Sequence, residues 1–349
     1  MPSAFLTPPS VSSERERGVS RGVWVDAYTR PITYLRVSIT DRCNLRCVYC
    51  MPEEGVQFIP AESLLTDDEI IRVVKIAATG GIKKVRLSGG EPLVRKGLAP
   101  LIQRLFHVPG LEEVTLTTNG VFLSEQAHAL YAAGLRRINI SLDTLRPERF
   151  ARIVRRNLFD RVWEGIGRAA SVGFDPIKIN VVLQQGINDD EVLDFARLTL
   201  DHPYHVRFIE QMPCAQWETW QATYHPYTAA RDQMEAEWGT LLPVERESHA
   251  GPAEMFRLPH ALGQVGFIHA MSHDFCDQCN RMRLTAHGQI RPCLFSEMAV
   301  DLLPTLRSGG SDAALSALWY QALRIKPEYH ELDSIPQEKL LLTMVNIGG

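Results

Sequence analysis

The sequence predicts an α/β protein, built as an incomplete (β/α)6 TIM-type barrel followed by a smaller C-terminal domain. Three observations lead there. Strand-like and helix-like stretches alternate from about residue 34 to residue 210, and repeated strand–helix units build parallel strands joined by right-handed crossovers. Six such units are counted, short of the eight of a complete barrel. Finally, the strands are apolar on one face and polar on the other, whereas parallel strands buried on both faces read as continuous apolar runs.

The strands are placed near 34–40, 83–88, 112–118, 136–142, 176–183 and 204–210. One parity is apolar: Leu35, Val37 and Ile39, then Val85 and Leu87, Val114 and Leu116, Ile138, Ile140 and Leu142, and Ile177, Ile179 and Val181. The other is polar: Arg36, Ser38 and Thr40, then Arg86 and Ser88, Thr115, Thr117 and Asn119, Asn139, Ser141 and Asp143, Lys178 and Asn180, and His205 and Arg207. Side chains alternate across a strand, so the apolar set is expected under the outer helices. The polar set is expected in the lumen, where it suits a large polar ligand. An antiparallel sheet with one wet face would alternate in the same way; the intervening helices favour the barrel. Among these, Thr66-Asp67-Asp68-Glu69 is a capping-box start for a helix to about Thr79, which Gly80-Gly81 ends. Further helices are expected near 96–107, 124–133, 147–172 (broken) and 189–200.

After Met212 the rhythm is lost. Trp217, Trp220, Tyr224, Tyr227 and Trp238 crowd a short region. A helix near 226–238 and strands near 254–258 and 264–269 read as a linker and a second unit. Cys214 stands alone there and is expected to be a buried thiol without a ligand role. A helix near 311–325 precedes the end, Gly348-Gly349. The expected division is a flexible extension over 1–23, the partial barrel over 24–212, and the C-terminal domain over 213–349.

Composition narrows the classes. The 349 residues are 45% hydrophobic and 22% charged, as in ordinary globular chains, with a formal net charge of −4. No basic excess argues for nucleic acid. No apolar run approaches the length of a membrane helix, and the first 22 residues lack the apolar core of a secretory signal. The seven cysteines are clustered, which argues for metal in a reducing compartment, hence the cytoplasm, more than for disulfides.

Two of the clusters carry the chemistry. Cys43, Cys47 and Cys50 lie in one short loop at the C-terminal mouth of the first strand, where α/β folds keep their active groups. A closed zinc site wants four ligands, and a distant His or Cys could complete one. Three thiolates on a [4Fe–4S] cube instead leave one iron open for a ligand. Ser88-Gly89-Gly90-Glu91-Pro92 follows the second strand; its glycines allow close backbone approach, and Glu91 offers an acceptor for an ammonium. The second set is Cys276-x2-Cys279-x13-Cys293, folded back by a hairpin turn at His287-Gly288. It reads either as a zinc knuckle completed by His273 or Asp274, or as a second open cluster. Arg281 and Arg283 share one strand face beside it, and two guanidinium forks facing one way suit a triphosphate or another polyanion.

The loop Cys43-x3-Cys47-x2-Cys50, with the aromatic Tyr49 before the last cysteine, and the turn Gly89-Gly90-Glu91-Pro92 resemble the signatures of the radical S-adenosylmethionine enzymes. The second cysteine set with Arg281-Met282-Arg283, the stretches Thr40-Asp41-Arg42-Cys43-Asn44, Leu116-Thr117-Thr118-Asn119-Gly120 and Arg207-Phe208-Ile209-Glu210, and the terminal glycines narrow this further. Over roughly 24–349 they resemble the two-cluster branch that cyclises GTP in molybdenum cofactor biosynthesis. The resemblance implies a first [4Fe–4S] cluster on Cys43, Cys47 and Cys50 that splits S-adenosylmethionine into a 5′-deoxyadenosyl radical. It implies Tyr49 (through its backbone), Gly90, Glu91, Ser141 and Met212 as contacts of that nucleotide. A second cluster on Cys276, Cys279 and Cys293 would hold guanine, with Arg36, Arg86, Thr117, Lys178, Arg281, Met282 and Arg283 on GTP. The radical would take hydrogen from C3′, the product being 3′,8-cyclo-7,8-dihydro-GTP, and Gly348 and Gly349 would reach in to assist. Expected partners are a reductant protein of flavodoxin or ferredoxin type and a downstream cyclic pyranopterin monophosphate synthase; a homodimer is left open. A two-cluster enzyme acting on a peptide, and a zinc-binding interaction module, are the other readings.

Overall fold

The computed structural model describes residues 23–213, 217–246 and 251–330. The expected N-terminal extension up to residue 22, Cys214, Gly348 and Gly349 lie outside the described residues.

Six strands form where they are expected, each a residue or two shorter: β1 (Tyr34–Ser38), β2 (Lys84–Ser88), β3 (Glu113–Thr118), β4 (Arg137–Ser141), β5 (Ile177–Leu183) and β6 (His205–Glu210). They pair in parallel in sequence order. The connecting helices are α1 (Asp67–Thr79), α2 (Leu98–Phe106), α3 (Leu123–Ala132), α4 (Pro147–Val154), α5 (Phe159–Val172) and α6 (Val192–Asp201). α1 opens with the expected capping box between Thr66 and Glu69. The break within 147–172 falls at Arg155, whose φ of 55° is left-handed and cannot continue a helix. The apolar parity is the core: Leu35, Val37, Val85, Leu87, Leu116, Ile138, Ile140, Ile179 and Val181 are all inaccessible to solvent.

The remaining elements are α7 (Trp217–Thr223), α8 (Tyr227–Trp238), β7 (Leu242–Pro243), β8 (Glu254–Arg257), β9 (Gln264–Ile268), β10 (Arg281–Leu284), β11 (Gln289–Arg291), β12 (Val300–Asp301), α9 (Leu303–Arg307) and α10 (Asp312–Arg324). Their strands do not make a separate sheet. β9 runs parallel to β6 and β10 runs parallel to β1, so the later chain flanks the barrel strands on both sides. One sheet results, in the order β12-β11-β10-β1-β2-β3-β4-β5-β6-β9-β8-β7. An open edge leaves a row of backbone donors and acceptors to be satisfied, and these strands satisfy both rows. Local sequence carries no mark of that pairing.

The segment before β1 clasps the outside. Trp24 donates its backbone N–H to Gly80 at the end of α1 (2.6 Å) and stacks near Trp319 of α10, with ring centroids 5.0 Å apart. A Cβ on Gly80 would lie 2.1 Å from the Trp24 ring, so only glycine fits there. Among the described residues no helix is long and apolar enough to cross a membrane.

Candidate active site

Both cysteine sets line one cavity. Cys43, Cys47 and Cys50 follow β1, while Cys276 and Cys279 precede β10 and Cys293 follows β11. Since β10 is parallel to β1 and β11 antiparallel to β10, the two sets stand at opposite ends of the strands. At about 3.3 Å per residue, the five residues of β1 alone separate them by on the order of 15 Å. None of these six thiols is in a disulfide, and all are half-buried.

Between the sets runs a row of cations. Arg283 of β10, Arg36 of β1 and Arg86 of β2 are direct cross-strand partners, each on the lumen parity. Buried atoms of this row lack partners: Nε of Arg36, Nε of Arg86 and Nη1 of Arg283, together with Oγ1 of Thr117 on β3. Among the described residues none of the three arginines has a carboxylate partner. Such a set leaves guanidinium forks for an anionic ligand to fill. Burial, then Arg283, depresses the Arg36 guanidinium well below its usual range; burial, then Arg281, brings Arg283 down to about 10. Burial raises the Tyr34 hydroxyl, but Arg86, Arg36, Lys84 and Arg281 together outweigh it and hold it below its ordinary value.

The other predicted GTP contacts divide. Arg281 lines the cavity, its guanidinium 4.8 Å from the Phe275 ring. Lys178 shares the inward parity of Asn180 and Val182, the β5 residues that line the cavity, but lies one inward position beyond them. Burial, with Arg207 next, brings its amine down to about 6. Met282 points away: its side chain is fully buried in the hydrophobic core, since its parity is that of Leu35, so a ligand would meet only its backbone. Arg207, which the sequence reading left unassigned, also lines the cavity; its Nε donates to Asn180 (3.0 Å) and another nitrogen to Asn139. Its place in the polar parity was the signal.

At the first thiol loop, Tyr49, Gly90, Ser141 and Met212 line the cavity. The glycine pair serves its own chain. Gly90 donates to Thr40 and Glu91 donates to Arg42, both at 2.7 Å, and a Cβ on Gly90 would sit 2.3 Å from the Arg42 carbonyl oxygen. Glu91 also lines the cavity, and its own chain already supplies three donors to its carboxylate. Its buried carboxylate already accepts from Leu93 N (2.9 Å), Thr118 Oγ1 (2.6 Å) and Asn119 N (2.6 Å), and burial raises it to about 7. Asn119 in turn donates to Asn44 within the loop (2.8 Å). Tyr49 donates its hydroxyl to Asp143 (2.6 Å), which also accepts from Val182 N. Asp143 was legible only as a polar-parity residue.

At the second loop, Arg30 binds Asp26 (2.6 Å) and donates to the carbonyls of Cys276, Pro327 and Glu328 (2.6 Å each). The hairpin forms at His287-Gly288, with Gly288 at φ 90°, and returns Cys293 towards the pair. Asp274 caps the loop by accepting from Cys276 N (3.1 Å). Burial pushes Cys43 and Cys276 up to about 11 and Cys47 well above its usual value. Burial would raise Cys279 too, but Arg281 and Lys326 bring it down to about 6. Among the described residues no three His, Cys, Asp or Glu side chains converge as one metal ion requires. A four-iron cube attaches each thiolate to a different iron and so takes a wider set. Reduced thiols in threes, beside buried arginine nitrogens without partners, fit that group.

Comparison with known proteins bears on the same residues. The Radical SAM superfamily model matches residues 37–199, and the Molybdenum Cofactor Synthesis C model matches residues 204–332. A GTP 3′,8-cyclase from Pelotomaculum thermopropionicum is 48% identical over 88% of this chain and 95% of its own. Those of Heliobacterium modesticaldum (49% identical, 93% of this chain and 100% of its own) and Moorella thermoacetica (46%, 88% and 95%) are similar. Among solved structures, Streptococcus suis SuiB bound to S-adenosylmethionine superposes with a TM-score of 0.59 at 15% identity, covering 83% of this chain and 65% of that one. This chain thus spans just under two thirds of SuiB, and the likeness speaks for the fold alone.

Proposed function

The chain belongs to the GTP 3′,8-cyclase family of radical S-adenosylmethionine enzymes, and we propose that its lumen holds GTP between two thiolate sets at opposite ends of the strands. The reaction converts GTP to 3′,8-cyclo-7,8-dihydro-GTP, the first step of molybdenum cofactor biosynthesis, with S-adenosylmethionine and two [4Fe–4S] clusters as cofactors. On this reading Cys43, Cys47 and Cys50 hold the first cluster, which with S-adenosylmethionine supplies the 5′-deoxyadenosyl radical. Tyr49, Gly90, Ser141 and Met212 border that nucleotide. Glu91, held by Thr118 and Asn119, borders it too and keeps an acceptor site for its ammonium.

Arg283, Arg36 and Arg86 meet the triphosphate, with Thr117, Arg281 and Lys178 beside them, and Cys276, Cys279 and Cys293 hold the second cluster. The unpartnered nitrogens of the arginine row carry this reading: buried cations without counter-charges need an anion. A lumen with a thiolate loop at each end keeps water and stray hydrogen donors from a reactive substrate radical. Residues 24–212 are read as the catalytic barrel and 213–349 as the unit that brings the second cluster and, through Gly348 and Gly349, a tail into the site. A reductant protein of flavodoxin or ferredoxin type, a cyclic pyranopterin monophosphate synthase downstream and a cytoplasmic setting complete the proposal.

The test is an anaerobic reaction of reconstituted protein with S-adenosylmethionine and a strong reductant, with and without GTP, read by mass spectrometry. The expected result is 5′-deoxyadenosine that rises with GTP, together with a GTP isomer of unchanged mass. Formation of 5′-deoxyadenosine that ignores GTP would overturn the substrate assignment while leaving the first thiolate set in place.

A further inference from the structure

Just beyond α10 lies a buried cation that the reading above does not use. Lys326 is 3% exposed. Its Nζ donates to Cys279 Sγ (3.3 Å), to the Arg281 carbonyl (3.0 Å) and to the Pro292 carbonyl (2.8 Å). An ammonium has three donors and no acceptor, so three acceptors use it fully. Among the described residues no carboxylate pairs with it. A buried ammonium needs a counter-charge, and the group within reach is the Cys279 sulfur.

The geometry ties separate pieces of chain together. Cys279 begins one arm of the β10–β11 hairpin, Arg281 opens β10, and Pro292 immediately precedes Cys293. Lys326 thus fastens both arms of the second thiolate loop from the C-terminal side. Arg30 grips the next two residues, Pro327 and Glu328, and the Cys276 carbonyl.

We propose that Lys326 is a positioning residue of the second cluster, whose ammonium bonds the Cys279 sulfur and thereby raises that cluster's reduction potential and holds its loop closed. The inference rests on the assignment of Cys276, Cys279 and Cys293 to a cluster. Hydrogen bonds and positive charge at a ligating sulfur favour the more negative, reduced state of an iron–sulfur cluster. Removing the ammonium moves the midpoint to more negative potential, and loosening the loop exposes the iron.

The test uses the full-length reconstituted chain and does not depend on turnover. Redox titration followed by electron paramagnetic resonance gives each cluster's midpoint. The second cluster's signal is the one kept when Cys43, Cys47 and Cys50 are replaced by Ser. Lys326→Met, of similar length, is expected to shift the second midpoint to more negative potential and to speed loss of that cluster's iron to a chelator. The first midpoint stays unchanged, and Lys326→Arg restores most of the shift. An unchanged second midpoint in Lys326→Met overturns the proposal. So do equal shifts in the Met and Arg variants, which would show packing rather than charge. Should the Met variant fail to keep the cluster, Lys326→Gln, which donates without charge, reads the same midpoint, and a wild-type value there overturns the idea. Uptake of only one cluster's iron by the unsubstituted chain would instead overturn the second-cluster assignment, and this inference with it.

Discussion

Arg283 shows how much of the site rests on single side chains. It sits opposite Arg36 in the β10–β1 register, buried and without a carboxylate partner among the described residues. A charge-assisted hydrogen bond contributes about 1.5–3 kcal/mol, so Arg283→Ala should weaken GTP binding roughly tenfold to a hundredfold. Uncoupled splitting of S-adenosylmethionine should persist, because the first thiol loop lies at the other end of the strands. Equilibrium binding of GTP, with 5′-deoxyadenosine measured in parallel, tests both halves. Lys178 makes a pH prediction. Its amine is held down at about 6, mainly by burial and then by Arg207, so above that pH the empty site carries it neutral. A triphosphate nearby raises the pKa again, and binding takes up a proton. The sign follows: affinity falls as pH rises above the free-site value of about 6, by up to about tenfold per unit, once the phosphate itself is fully ionised. Calorimetry in buffers of different ionisation heat counts the proton, and Lys178→Met should abolish its uptake.

At the scale of elements, the turn after β2 and the loop after β1 behave as one piece. Gly90 and Glu91 hydrogen-bond to Thr40 and Arg42, while Glu91 reaches on to Thr118 and Asn119 at the end of β3. Three successive strand ends are thereby locked around the first thiol set. A methyl at Gly90 would meet Arg42 backbone at 2.3 Å, which the chain can relieve only by moving one loop. Gly90→Ala should therefore cost about 1–3 kcal/mol of stability, the usual range for overpacking. It should also lower the iron held by Cys43, Cys47 and Cys50 while sparing the second set. Thermal unfolding and iron counts, compared with a Cys276→Ser chain, separate the two effects; full iron at the first set would contradict the coupling.

For the whole molecule, the decisive fact is that the later chain completes the earlier sheet. β10 brings its arginines beside Arg36 only because it pairs with β1, and β9 covers β6 on the other side. The fragment 24–212 would expose both edges, and exposed edges pair with other chains. Expressed alone, it should aggregate or remain unfolded by circular dichroism and sedimentation; a monomeric, cooperatively folding fragment would refute this view of the sheet. The same pairing sets the two thiolate loops at opposite ends of one lumen, which suits a ligand long enough to touch both.

The amino-acid sequence by itself determined the strand–helix alternation, the lumen parity, the capping box at Thr66, the hairpin at His287-Gly288 and both cysteine sets. These are local: periodicity, capping and ligand spacing act within a few residues of one another. Tertiary structure alone decided that Glu91 is held by Thr118 and Asn119, that Met282 turns into the core, that Tyr49 is tied to Asp143, and that Lys326 reaches Cys279 across 47 residues. It also decided that the C-terminal strands join the barrel sheet instead of forming their own. Each of these depends on which groups distant in the chain meet in the fold, and partners so far apart in the chain leave no periodic trace in it.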